Sequence, residues 1–341
     1  MTYNPDISPL GSQIKNPILS IIVPMYNEEQ NVDRLLEHVI PVVEDIEPNY
    51  EIILVDDGSR DNTAEKVIEY CEVNAKLKFL AFSRNFGKEA ALNAGLSYAS
   101  GQAIIQIDAD LQHPPEVIRT FYQEWKSGAE IVYGQRTSRD DDSALRGFLT
   151  RSFYKIFATV SDVKLMNGLG DFLLMDRKVV DALLSLPERE RFTKGLYAWV
   201  GFKRVAVPFD VAPREHGQSA WSILRLYLFA LGAITSFSTI PLKIWTYVGL
   251  FLAIPSFAYG GYIMIKTMIL GIDVPGYASL MVAVCFFSGI QLLGLGIIGD
   301  YLGRVLKEVK QRPLYLISAK YGFDQAKTMR SETAKIKKLP C

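Results

Sequence analysis

Asp108, Asp110 and Gln112 place three oxygen-bearing side chains at alternate positions in the stretch IDADLQHPPE. Carboxylate and carbonyl oxygens are hard donors that suit Mg2+ or Mn2+, and ions of this kind commonly bridge a diphosphate. The chemistry implied is Lewis-acid stabilisation of a departing nucleotide diphosphate. Zinc does not fit, because Cys71, Cys285 and Cys341 lie far apart and no histidines cluster. His113 adjoins the motif, but a lone histidine is more often a surface or structural residue. Taken singly, Asp110 could cap the helix primed by Pro114 and Pro115, and Asp57-Gly58-Ser59 could be a turn.

What raises these signals above chance is where they fall. Apolar runs ILSIIVP (18–24), EIILVDD (51–57), LKFLAFS (77–83), AIIQIDAD (103–110) and EIVYG (130–134) alternate with stretches of helical period. Near-continuous apolar strands separated by helices predict an α/β fold with a mostly parallel sheet covered on both faces. In such sheets ligands collect at the carboxyl ends of strands. The first run ends in Pro24-Met25-Tyr26-Asn27-Glu28-Glu29, the second in Asp56-Asp57-Gly58-Ser59 and the fourth in Asp108-x-Asp110, so three polar clusters share one predicted edge.

The second half of the chain changes character. Ile244–Ile265 and Val274–Gly299 are 22 and 26 residues without a charge, long enough to cross a bilayer as helices. Arg304, Lys307, Lys310 and Arg312 follow and mark that end as cytoplasmic. Two spans return the chain to its starting side, which predicts both termini in the cytoplasm of an inner or plasma membrane protein. Residues 221–243 read as interfacial helices, because Leu226–Leu242 is uncharged for only 17 residues between Arg225 and Lys243. The expected organisation is a flexible start (1–17), a catalytic domain (18–220), interfacial helices (221–243), a two-helix membrane domain (244–302) and a basic tail (303–341).

Composition agrees with this division. The 341 residues balance 37 Lys+Arg against 37 Asp+Glu, with 49% hydrophobic residues and a mean hydropathy of +0.12, which excludes a disordered chain and is apolar for a soluble enzyme. Residues 301–341 hold 10 basic and 3 acidic residues, leaving 27 basic and 34 acidic in the rest. A nucleic-acid partner needs a basic footprint on the folded domain and is not supported. No basic, then apolar, secretory leader is present in the first 17 residues.

The set VPMYNEEQN, ILVDDGSRDNT, RNFGKEAALNAGL, IDADLQHPPE, GDFLLMDRKVVDAL and REHGQS, with two spans ending GDYLGRVLKEVKQRPLY, resembles the polyisoprenyl-phosphate glycosyltransferases of glycosyltransferase family 2. Bactoprenol glucosyltransferases and dolichol-phosphate mannosyltransferases are among them, and the likeness covers roughly residues 18–318. It implies a GT-A, Rossmann-like domain and inverting transfer of a hexose from a nucleotide sugar to a polyprenyl phosphate. Of the donors, UDP-glucose is favoured over GDP-mannose or another UDP-sugar. Carried over residue by residue, the resemblance implies that Pro24, Tyr26 and Glu28 line the nucleotide pocket, with Asp56 at the base and Lys88 against the nucleotide. It implies that Asp108, Asp110 and Gln112 hold the metal and diphosphate, and that Arg136, Arg146 and Arg151 meet the acceptor phosphate. Asp171 matches the carboxylate near the reacting sugar carbon, and Arg214 and Ser219 a loop closing over the donor phosphates. That motif commonly ends Ser-Lys; here Ala220 and Trp221 follow Ser219, so a phosphate-contacting cation is missing.

The chemistry is consistent with these types. A phosphomonoester is largely dianionic at pH 7, so a strong general base is dispensable and positioning with charge neutralisation should dominate. Guanidinium groups suit bidentate phosphate binding. Asp171 could orient the acceptor, orient a sugar hydroxyl or take a residual proton. Gly294-x-Gly296-x-x-Gly299 lies inside an apolar run and reads as helix packing rather than a dinucleotide site. A processive polysaccharide synthase is disfavoured by the lack of Q-x-x-R-W and the small number of spans. A non-catalytic membrane scaffold is disfavoured by the intact Asp108, Asp110, Gln112 and Asp171. A homo-oligomer is compatible with the sequence.

Overall fold

All five apolar runs form strands, because each is too short for a core helix and too apolar to leave either face in water. The computed structural model describes residues 17–137, 169–189, 191–210, 240–270 and 276–323. In chain order the elements are β1 (Leu19–Met25), α1 (Val32–Ile46), β2 (Tyr50–Asp56), α2 (Thr63–Val73), β3 (Leu77–Phe82), α3 (Lys88–Tyr98), β4 (Ala103–Gln106), α4 (Val117–Lys126) and β5 (Ile131–Arg136). There follow β6 (Leu169–Asp176), α5 (Arg177–Ser185), α6 (Thr193–Trp199), β7 (Arg204–Phe209), α7 (Ile240–Leu270), α8 (Tyr277–Lys310) and β8 (Ile317–Tyr321).

The eight strands make one sheet in the order β7-β5-β6-β4-β1-β2-β3-β8. Its centre is parallel, with β1 between β2 and β4 and β3 beyond β2. The sheet is nevertheless mixed, which corrects the mostly parallel expectation: β6 runs antiparallel to β4 and β5, and β8 antiparallel to β3, while β5 and β7 are parallel. Since β6 enters from the opposite end, its first residues stand on the edge where β1, β2, β4 and β5 finish.

Alternation along β1 fixes which helix covers which face. Leu19, Ile21, Val23 and Met25 pack with Val32, Leu35 and Val39 of α1 on one side, and Ile22 packs with Ile53, Ala91 and Ala94 on the other. The small residues of AALNAGL let α3 lie close to the sheet. Each fully buried large aliphatic chain in these layers contributes about 1.5–3 kcal/mol. At the edge away from the polar clusters, Glu51 is 1% exposed yet held below its ordinary pKa. Burial opposes its charge, but Lys78, Ser20 Oγ (2.6 Å) and the Ser100 N–H (2.7 Å) outweigh it.

Helices α7 and α8 have 31 and 34 residues, about 46 and 51 Å at 1.5 Å per residue. Their large apolar side chains face outward, among them Tyr247, Phe251, Met268, Leu292 and Leu295. Among the described residues one stretch, Phe286–Lys310, is long and apolar enough to cross a membrane; of the two expected spans, one has such a counterpart and the other coincides with the long helix α7. Gly294 of α8 faces the Trp245 ring of α7, in keeping with a packing role for that glycine. Residues 303–310 extend α8, and residues 317–321 form β8, so the stretch expected to be a basic tail from 303 onward begins as ordered structure. Its strand β8 pairs with β3, more than 230 residues earlier. Most of the expected interfacial segment (221–239) and the start (1–16) lie outside the described residues.

Candidate active site

The edge formed by the ends of β1, β2, β4 and β5 collects the predicted polar clusters. Pro24 is buried in β1, paired with Val55, beyond the last β1–β4 partner at Ile22, so its missing N–H costs no ladder bond there. Past it, Tyr26 is 41% exposed. Asn27 adopts a left-handed φ of 54°, which lets its N–H donate to Ser59 Oγ (2.8 Å) and its side chain accept from the Arg60 N–H (2.9 Å). The Glu28 N–H donates to Thr63 Oγ1 (2.9 Å), and Glu28 Oε2 accepts from Asn31 (2.6 Å). The β1 loop is therefore laced to the β2 loop.

Asp56 and Asp57 at the end of β2 are each 3% exposed. Burial pushes both carboxyls above their usual range, opposed by their hydrogen bonds. Asp56 accepts from the Ser59 N–H (3.1 Å) and hydroxyl. Asp57 accepts the Phe86 N–H (2.6 Å) and the Gly87 N–H (2.9 Å), which fixes the loop entering α3. The Asp-Asp-Gly-Ser turn thus has a structural task, holding the segment that delivers Lys88.

Lys88, the first residue of α3, spans the site. Its ammonium lies 2.6 Å from Asp108 Oδ1 and 2.6 Å from Asp171 Oδ2. Withdrawal from water disfavours the charge, but the two carboxylates reverse this and hold the amine well above its ordinary pKa. Asp171 is the third residue of β6, brought here by that strand's antiparallel entry. Burial opposes its ionisation; Lys88, then Lys194 at 4.0 Å from Oδ1, outweigh burial and hold the carboxyl below its usual range. Beside it, burial and the Asp171 charge push Glu89 up to about 7, against the pull of Lys194, Lys88 and the Thr193 N–H.

Past β4, Leu111 has a left-handed φ of 54°, and Asp110 Oδ1 accepts the Gln112 N–H (3.2 Å). Asp108, Asp110 and Gln112 are all partly exposed on this turn. The donor set fits a hard cation: two carboxylates and an amide, with the Lys88 ammonium already drawn to Asp108. Among the described residues no three His, Cys, Asp or Glu side chains converge on a metal position. His113 is packing: it is 4% exposed, stacks on Phe172 and meets Phe209 edge-on, and burial holds its pKa down against Asp108 and Asp110. Arg136 ends β5 on the same edge and is exposed, in register with Phe209. Arg146, Arg151, Arg214 and Ser219 lie outside the described residues. Lys194 and Glu89 are not singled out by the sequence, Lys194 being a single charge in a short helix and Glu89 standing beside Lys88 without a motif of its own; only the meeting of α3, α6 and β6 puts them at Asp171.

Comparison with known proteins adds the following. Residues 20–184 match the glycosyl transferase family 2 profile, and residues 240–305 match the GtrB C-terminal hairpin. An uncharacterized glycosyltransferase of Synechocystis sp. is 50% identical over 90% of this chain and 96% of its own length. A prophage-derived bactoprenol glucosyl transferase of Shigella flexneri is 43% identical over 88% of this chain and 97% of its own. Among solved structures, glucosyl-3-phosphoglycerate synthase of Mycobacterium tuberculosis, in complex with Mn2+ and UDP-glucose, is 19% identical over 64% of this chain and 77% of its own, with a TM-score of 0.43.

Proposed function

This chain is a glycosyltransferase belonging to glycosyl transferase family 2, and from that premise we propose that it moves a hexose, with glucose from UDP-glucose favoured, onto a polyprenyl phosphate at the cytoplasmic membrane face. The observation that carries the reading is the Asp108–Lys88–Asp171 bridge at the carboxyl edge of the sheet, joined to a C-terminal hairpin of the kind found in bactoprenol glucosyl transferases.

In the proposed reaction an oxygen of the acceptor phosphate bonds to the anomeric carbon as the bond from that carbon to the diphosphate breaks. The electron pair leaves with the nucleoside diphosphate, and attack from the opposite face inverts the centre. A dianionic phosphate brings no proton that must first be removed. Asp108, Asp110 and Gln112 would hold Mg2+ or Mn2+, which supplies charge neutralisation to the departing diphosphate. Lys88 sits between the Asp108 and Asp171 carboxylates and can follow the developing negative charge. Asp171, kept ionised by Lys88 and Lys194, orients the acceptor or a sugar hydroxyl. Tyr26 and Glu28 at the end of β1, with Asp56, would frame the nucleotide, and Arg136 would meet the acceptor phosphate together with Arg146 and Arg151.

The membrane assignment is part of the same proposal. A polyprenyl chain stays in the bilayer, so its phosphate reaches a site held at the surface. Both α7 and α8 exceed the roughly 30 Å hydrocarbon thickness. The chain leaves the sheet after β7 and rejoins it at β8, which supports the reading of an even number of crossings with Arg304, Lys307, Lys310 and Arg312 on the catalytic side. The test is incubation of the purified protein with labelled UDP-glucose, polyprenyl phosphate and Mg2+. Labelled lipid is expected, lost on chelation and regained with Mg2+ or Mn2+. No labelled lipid with any nucleotide sugar would sink the reading, and a long water-soluble product would favour a polysaccharide synthase.

A further inference from the structure

The connection between α5 and α6 touches two distant parts of the molecule. At one end Arg189 donates its N–H to Glu308 Oε1 of α8 (2.8 Å) and its guanidinium to the Arg312 carbonyl beyond that helix. At the other, Lys194 arrives beside Asp171. Glu89 of α3 accepts the Thr193 N–H, so the backbone that carries Lys194 is pinned from the catalytic side too.

Lys88 and Lys194 treat Asp171 differently. Lys88 closes on Oδ2 at 2.6 Å and spends a second donor on Asp108. Lys194 stands 4.0 Å from Oδ1, beyond hydrogen-bond reach, with 35% of its side chain exposed. Among the described residues Asp171 is its one ion-pair partner. A lysine serving only to neutralise Asp171 would close to contact; this one is held near the carboxylate with donors left for another anion. It also lies at Oδ1, the carboxylate oxygen that Lys88 does not use, on the segment bonded to the end of α8.

We infer that Lys194 binds an oxygen of the acceptor phosphate, setting it beside Asp171 for attack. This rests on the glycosyl transfer proposed above and adds to it a residue that approaches from the α8 side, whereas Lys88 and Asp108 serve the donor diphosphate. The two phosphates are told apart by kinetics in detergent with wild type, Lys194→Ala and Lys194→Arg. Removing one charge-assisted contact should raise the KM for polyprenyl phosphate about tenfold or more. The KM for the nucleotide sugar should stay within about twofold, since the donor anion is assigned to other groups. Lys194→Arg should recover most of the loss, which a merely structural defect would not allow. An unchanged acceptor KM in Lys194→Ala, or an equal rise in both KM values, overturns the assignment. Direct binding of polyprenyl phosphate to the same proteins separates this from the reaction itself. Equal affinities for wild type and Lys194→Ala remove Lys194 from the site, whereas weakened binding in a protein that forms no product retains the site and removes the reaction.

Discussion

Charge compensation around Asp171 is the residue-scale feature with the sharpest consequences. Lys88 is shared by Asp108 and Asp171, so in the proposed reaction Asp108 would turn to a cation only as Lys88 moved toward the diphosphate. Asp110 lies on the same turn, its Oδ1 accepting the Gln112 N–H (3.2 Å). Asp110→Asn is expected to cut transfer by about 100-fold or more while leaving the melting temperature nearly unchanged, read by lipid-product formation and thermal unfolding in detergent. Glu89 gives a prediction on stability. Its folded pKa of about 7 lies above the ordinary 4.5, so between these values the folded protein holds a proton that the unfolded chain has released. Stability from this group is greatest at and below about pH 4.5 and declines as pH rises through about 7. Glu89→Gln keeps an oxygen for the Thr193 N–H and removes the titration. Its unfolding temperature should exceed wild type at pH 8 by more than at pH 5, and identical pH slopes would show that Glu89 ionises normally.

At the scale of elements, the site depends on loops that hold each other. Gly58 has a φ of +70°, and a Cβ there would lie 2.5 Å from the Arg84 carbonyl carbon. Gly58→Ala therefore costs about 1–2 kcal/mol in backbone conformation alone and displaces the 84–87 segment that Asp57 fixes. A lower melting temperature together with a raised donor KM is expected; an unchanged melting temperature would contradict the close approach. Much of this level was legible in advance. β1 to β5 fall where the apolar runs stand because continuous apolar stretches bounded by polar turns have few other ways to be buried. β6 and β7 escaped notice: GDFLLMD carries acids at both ends, and RVAVPF ends in Pro-Phe, so neither has an unambiguous period. Their pairing partners are remote in sequence, and with them went the antiparallel half of the sheet.

For the whole molecule, the C-terminal segment is the main surprise. Ser83 donates its N–H to the Leu316 carbonyl (2.9 Å), Tyr315 stacks on Phe82 at 5.0 Å, and β8 covers the edge of β3. Ending the chain at Gln311 should therefore lower the melting temperature by several degrees and promote association through the bare β3 edge, measured by thermal unfolding and size-exclusion chromatography; a disposable tail would leave both unchanged. The residues named from sequence at the strand ends, Tyr26, Glu28, Asp56, Asp108, Asp110 and Gln112, do share one edge, because a strand's carboxyl end is fixed by local chain direction once the strands are known. The alternation of apolar runs and the two long uncharged stretches likewise determined the α/β domain and the long-helix hairpin by themselves, through burial and hydrogen-bond satisfaction. Only the tertiary structure decided that Asp171 enters on an antiparallel strand, that Lys88 bridges it to Asp108, that Lys194 stands on its other side and that residues 317–321 rejoin the sheet. Those outcomes depend on contacts between segments tens to hundreds of residues apart, whose free energies no local pattern of residue types encodes.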